Sequence, residues 1–216
     1  MGKTAGYCGS YGNVSEIIRL LDTNYPREIS FLEFENSFQL LISVILSAQT
    51  TDRQVMQVVP SLFKAYPDPE AMSMAEPEKV MEIIRPVGFY RVKAHNIIKA
   101  SEILLKEYRG VVPDTIEKLI RLPGVGRKSA NVIIGAIFEK PAVIVDTHFG
   151  RVVRRLGLTD EKNPDKIEEK ISEIVPKAVQ YRFSMTVNLH GRKICHARKP
   201  ECRNCFLNHL CISAVL

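Results

Sequence analysis

Apolar positions recur at helical intervals along most of the chain. In residues 14–21, Ile17, Ile18 and Leu21 share one side. Residues 38–48 are nearly all apolar and predict a buried helix running on toward Asp52. Residues 52–65 predict another, with Val55, Met56, Val59 and Phe63 at helical spacing. Residues 76–85 read as a helix that stops before Pro86, because a proline pushes its predecessor out of the α region. In residues 93–108, Ile97, Ile98, Ile103, Leu104 and Leu105 lie on or near one face. Residues 114–121 open on a capping Asp114 and end before Pro123. Residues 127–138, 147–156, 164–175 and 179–190 complete the helical pattern. Only residues 142–145 have the character of a strand, and they are too few to anchor a sheet, so the expected fold is all-α.

Composition narrows the class. With 45% hydrophobic and 25% charged residues over 216 positions, the chain has the makeup of a globular protein with a real core. The net charge of +6 suits a polyanionic partner without demanding one. The longest apolar run, residues 40–46, is broken by Ser43 and too short to span a bilayer. No apolar stretch follows Lys3, and Gly6 stands where a myristoylation motif needs Ser or Thr. A soluble, intracellular protein with no membrane partner is expected.

The cysteines add chemistry. Cys8 stands apart, whereas Cys195, Cys202, Cys205 and Cys211 crowd the C-terminal end. Six, two and five residues separate the four in turn. In a reducing compartment such a cluster points to a metal site rather than paired disulfides. The spacing suits zinc or an iron–sulfur centre, although only Cys202 and Cys205 form the Cys-x-x-Cys pair that zinc ribbons use twice. Arg192, Lys193, Arg198, Lys199 and Arg203 surround the cysteines, opposed only by Glu201. They form either a solvated face or a phosphate-binding one. Arg151, Arg154 and Arg155 contribute to such a surface or simply solvate their helix.

The string Leu122-Pro123-Gly124-Val125-Gly126-Arg127-Lys128 ends one helix and starts the next. Gly124 and Gly126 let the backbone turn tightly and approach a partner, and the new helix offers N–H groups suited to phosphate. An ordinary helix–helix turn would use the same residue types. Val125 is expected to plug the hairpin into the core. Lys128 sits in the first turn, where the helix's positive end disfavours an ammonium, as enclosure in a pocket would. A neutral amine can attack carbon and form a Schiff base, while a charged one simply holds phosphate. Downstream, Val143-Ile144-Val145 delivers Asp146 to a helix start. There Asp is favoured as an N-cap, which leaves its second oxygen for other work.

The hairpin ending in Lys128, with Asp146 eighteen positions on inside Val-Asp-Thr-His, together with the four-cysteine spacing, resembles the endonuclease III family of DNA glycosylases. Leu46-Ser47-Ala48-Gln49-Thr50-Thr51-Asp52 and Val87-Gly88-Phe89-Tyr90 also resemble family segments, so the likeness runs from about Val14 to Cys211. It implies two helical lobes, one of six helices near residues 29–140 with the helix-hairpin-helix motif, the other joining residues 1–28 to 141–216 and carrying a [4Fe–4S] cluster on Cys195, Cys202, Cys205 and Cys211. It implies excision of oxidised pyrimidines from double-stranded DNA and cleavage of the abasic strand by β-elimination. Lys128 would be the nucleophile, with Asp146 activating it or stabilising positive charge on the sugar.

By the same resemblance, Gln49 fills the gap left by a flipped nucleotide, or else only hydrogen-bonds at a helix end. Phe89 stands where the family often has an aliphatic wedge, and would stack between bases or belong to the core. Gly124, Gly126 and Arg127 would face the DNA backbone, and the metal would fold a loop presenting Arg198 and Lys199 to phosphates. His148 reads as structural, and Cys8 falls outside the cluster. The chain is expected to act as a cytoplasmic, nucleoid-associated monomer. An adenine-mismatch relative would carry glutamate in place of Ser43, lack Lys128 and add a C-terminal domain. A thymine-mismatch enzyme is disfavoured by Lys128, and a non-catalytic DNA-binding module would not need Lys128 and Asp146 together.

Overall fold

A computed structural model describes residues 13–27 and 29–215; Cys8 lies outside them. The described residues contain helices and no strand. They form two compact units: Ser30–Glu139, and the described residues up to Ile29 joined to those from Lys140 onward.

Unit Ser30–Glu139 is built on α2 (Ser37–Ser47), which is buried along Phe38 and from Leu40 to Leu46. A helix apolar on every side belongs in the middle of a core. Around it pack α3 (Asp52–Ala65), α6 (Tyr90–Tyr108) and α8 (Arg127–Phe138). The shorter α4 (Pro69–Ser73), α5 (Pro77–Ile83) and α7 (Ile116–Leu119) fill the remaining edge. On α3 the core face is Val55, Val58, Val59 and Leu62, shifted from the expected stripe, so Met56 and Phe63 are only half-buried. Leu105 of α6 faces outward for the same reason, while Ile97, Ile98 and Leu104 are buried.

The expected continuation of α2 toward Asp52 does not occur. The helix stops at Ser47, and Thr51 starts α3 with a reciprocal capping box to Gln54. Between them Gln49 takes a left-handed conformation, φ 53°. The N-cap position of α7 is Thr115, one residue after the expected Asp114.

The other unit gathers α1 (Val14–Asn24), α9 (Thr147–Arg155), α10 (Pro164–Ile174) and α11 (Gln180–Lys193). Its core includes Ile17, Leu21, Phe149, Val153, Ile171, Phe183 and Leu207. The Phe149 and Phe183 rings meet edge-on at 6.1 Å. Gly191 lets α11 close on α9: a Cβ there would fall 2.9 Å from the Cβ of His148. Residues 142–145 join no ladder. Ala142, Val143 and Ile144 are buried, and the Ile144 N–H donates to the Ser184 hydroxyl at 3.0 Å. That bond satisfies one main-chain donor without a sheet.

Candidate functional site

The hairpin between α7 and α8 separates two uses of glycine. Gly124 has φ +82°, and a Cβ there would lie 2.8 Å from Ile45 Cγ2. The fold itself demands glycine at that position. Gly126 is extended, and a Cβ on it would meet nothing within 4 Å. Among the described residues nothing requires its small size, and the space above it is open. Between the two, Val125 is buried at 6% exposure and its N–H bonds the Leu122 carbonyl at 3.1 Å, so it plugs the turn as expected. Gly126 is the N-cap of α8 and supplies no side-chain cap. Arg127 and Lys128 are exposed in that first turn.

Gln49 and Phe89 are both exposed, and both are non-glycine residues with left-handed backbones, φ 53° and 58°. Such conformations cost of the order of 1 kcal/mol or more and persist only where the surroundings impose them. Phe89 is 65% exposed, so it is not a core residue. The two residues border one pocket with Ile45, Val92, Asn96 and Gly124. At its back lies Lys93, only 5% exposed. Its Nζ donates to the Leu46 carbonyl at 2.8 Å and the Thr50 hydroxyl at 2.7 Å. Burial pushes the Lys93 ammonium down to about 8.

In the other unit, Asp146 caps α9. Its Oδ1 accepts the Phe149 N–H at 2.7 Å, and its Oδ2 accepts the side-chain amide of Asn188. Arg192 donates to Asn188 Oδ1 at 2.8 Å, which fixes that amide with its nitrogen toward the carboxylate. The carboxylate is half-buried, and it serves as cap and as oriented acceptor at once.

Cys195, Cys202, Cys205 and Cys211 are unpaired and line a single pocket with Val152, Leu156 and Leu207. Burial pushes the Cys205 and Cys211 thiols up, and the neighbouring sulfurs add to the effect. Donors converge on the sulfurs: Arg155 reaches Cys195 Sγ at 3.2 Å, the Leu207 N–H reaches Cys205 Sγ at 3.4 Å, and His190 Nε2 lies 3.4 Å from the same sulfur. His190 is buried and its Nδ1 meets the Tyr25 hydroxyl at 2.9 Å. Among the described residues, no three His, Cys, Asp or Glu side chains converge as ligands of one ion. The thiols share a pocket without meeting at a single point.

Arg198 and Lys199 are exposed in the loop that joins Cys195 to Cys202. That loop is lashed to α9 by the Arg155 guanidinium, which donates to the His196 carbonyl at 2.7 Å and the Ala197 carbonyl at 3.1 Å. Arg151 turns inward too, to the Cys195 carbonyl at 2.9 Å and the Gly191 carbonyl at 2.7 Å. His148 contacts Arg151 at 3.2 Å, a structural role. Sequence reasoning left Arg151 and Arg155 undecided and passed over Lys93, Asn188 and His190. The spacing of Arg151 and Arg155, one turn apart on α9, is the one signal that could have marked them as a pair. The rest owe their roles to contacts far apart in sequence.

No described helix is long and apolar enough to cross a membrane. Residues 42–177 match the HhH-GPD superfamily of base excision DNA repair proteins. The chain is 42% identical over 201 residues to the endonuclease III of Synechocystis sp., covering 93% of this chain and 92% of that one. It is 41% identical over 196 residues to that of Escherichia coli, covering 91% and 93%. Its fold superposes on a trapped endonuclease III–DNA covalent intermediate, an estranged-adenine complex, with a TM-score of 0.89 at 36% identity, over 94% of this chain and 96% of that one.

Proposed function

The chain belongs to the endonuclease III family of HhH-GPD base excision DNA repair proteins, and from that premise we propose how its residues do the work of a DNA glycosylase and AP lyase. The substrate is double-stranded DNA bearing an oxidised pyrimidine or an abasic site. The Lys128 amine attacks the sugar's anomeric carbon, and the N-glycosidic bond breaks with its electron pair leaving on the base. The amine loses a proton and the sugar ring opens to an imine. Removal of a C2′ proton then expels the 3′ phosphate, cutting the strand. Asp146, held at both oxygens, offsets the positive charge that develops on the sugar.

The observation that carries this reading is Gly126. A glycine that no described neighbour requires stands at the start of the helix bearing Lys128. A helix start with open space before it accepts a phosphate and sets the adjacent amine beside the sugar. The solved relative held covalently on DNA supports a nucleophile of this kind. Gln49 and Phe89 occupy the gap and the adjacent stack, while Arg127, Arg198 and Lys199 hold phosphates.

The four thiols hold a [4Fe–4S] cluster. A shared apolar pocket with N–H donors aimed at the sulfurs fits a thiolate-ligated cluster. When bound, the cluster supplies folding free energy and charge at a docking surface rather than a reacting group. Iron analysis of anaerobically prepared protein should find about four irons per chain. The chemistry is tested by borohydride trapping on an abasic duplex. Lys128→Ala should abolish the trapped complex, and trapping that survives would refute the nucleophile.

A further inference from the structure

Gln49 and Phe89 sit on separate turns, and each is held in an unfavourable backbone conformation while exposed. Their exposed side chains do not impose these backbones by their own packing, and hydrogen bonds to the turns supply a restraint. The bonds converge on one residue. The Lys93 main-chain N–H bonds the Phe89 carbonyl at 3.1 Å, and its ammonium spans the Gln49 turn from the Leu46 carbonyl to the Thr50 hydroxyl. Gln54 adds a second tie, donating to the Pro86 carbonyl at 3.1 Å. The turns lie close enough that a Cβ on Gly88 would touch Thr50 Oγ1 at 3.4 Å.

We propose that Lys93 is a positioning residue that latches the Gln49 and Phe89 turns into one rigid unit, so that both side chains are preset to enter DNA at an extruded nucleotide. This rests on the DNA reading of Gln49 and Phe89 given above. A buried ammonium is costly, and burial lowers the affinity of Lys93 for its proton, so a merely structural helix position would favour an apolar residue. What the ammonium contributes instead is a charge-assisted bond at each end of a strained turn. Presetting matters because ordering a flexible turn at the moment of binding would consume part of the free energy needed to unstack a base.

Lys93→Met keeps an unbranched side chain one atom shorter and removes the donor, and Thr50→Val removes one acceptor while leaving Lys93 in place. The first readout needs no DNA: hydrogen exchange at the Thr50 amide, which bonds the Ser47 carbonyl at 3.1 Å. The second is the preference for a duplex carrying a tetrahydrofuran abasic analogue opposite 2-aminopurine over an undamaged duplex. In both variants exchange should quicken, and the preference should fall roughly tenfold, the size of one lost charge-assisted bond. Binding to undamaged duplex should not change, and the double variant should be no worse than Lys93→Met alone. Unchanged exchange overturns the latch, and so does an unchanged preference where Gln49→Ala loses it. Faster exchange with the preference intact in Gln49→Ala as well would uphold the latch and sink the gap-filling reading instead.

Discussion

Asn188 donates its side-chain amide to Oδ2 of Asp146, while the same carboxylate caps α9 through Oδ1. A carboxylate held at both oxygens is fixed in one orientation. The support comes from the middle of α11, 42 positions along the chain, and is itself steered by Arg192 one turn later. Contacts of this kind fix the orientation of a carboxylate.

Asn188→Ala should therefore lower abasic-strand cleavage about tenfold, since a hydrogen bond to a charged group is worth roughly 1.5–3 kcal/mol. Asn188→Asp should do worse, because it sets two carboxylates against each other. Single-turnover nicking, with melting temperatures as a control for folding, measures this. Full activity in Asn188→Ala would show that the second oxygen needs no partner.

The two hairpin glycines should part company. Gly124→Ala should destabilise the fold by roughly 1–3 kcal/mol, through a strained positive φ and contact with Ile45. Gly126→Ala should change stability by less than about 0.5 kcal/mol, yet weaken DNA binding, because the added methyl stands where a phosphate would approach. Denaturant titration and equilibrium binding separate the two effects. Undiminished DNA affinity in Gly126→Ala would remove the main support for a phosphate site at the start of α8.

Lys93 gives stability a pH dependence of known sign. The unfolded chain keeps this proton until near 10.5, whereas burial lets the folded chain release it near 8. Between those values the unfolded state binds more protons, so the Lys93 contribution to stability rises with pH. Below about pH 8 the cost of burying the charge applies in full. A shift from 10.5 to about 8 sets an upper limit of about 3 kcal/mol, which the two hydrogen bonds to the ammonium reduce. Urea denaturation at about pH 7 and about pH 10 should show wild type gaining on Lys93→Met. A flat difference would mean that the ammonium is solvated.

Arg155 and the basic loop make a fourth case. Arg155→Ala frees the carbonyls of His196 and Ala197, so trypsin should cut faster after Arg198; Pro200 protects the bond after Lys199. Arg198→Ala and Lys199→Ala should each weaken binding evenly across sequences and reduce the slope of log K against log salt by about 0.9. An unchanged salt slope would return both residues to the solvated surface.

The helical character of this chain could be read from periodicity because burial of an amphipathic stripe depends on spacing alone. The apolar run within 38–48 became the central α2, and the punctuation at Pro123, Gly124 and Gly126 marked the hairpin. The stripe on α3 was misplaced by a residue or two, because several registers of apolar residues fit one helix and only the neighbouring helices choose among them. The end of α2 was missed because Gln49 adopts a conformation that its own sequence does not favour. Lys93 was passed over, since nothing local announces that Leu46 and Thr50 will meet it.

What the sequence determined by itself was the set of candidate groups and their order: an amine at a helix start, a carboxylate at another, and four thiols at fixed spacing. These depend on residue identity and on local turn and cap chemistry, which a few neighbours specify. Tertiary structure alone decided how those groups are held. Asn188 on Asp146, Arg155 on the cysteine loop and Lys93 under Gln49 are contacts between positions 40 or more apart, fixed only when packed helices bring distant polar groups within reach.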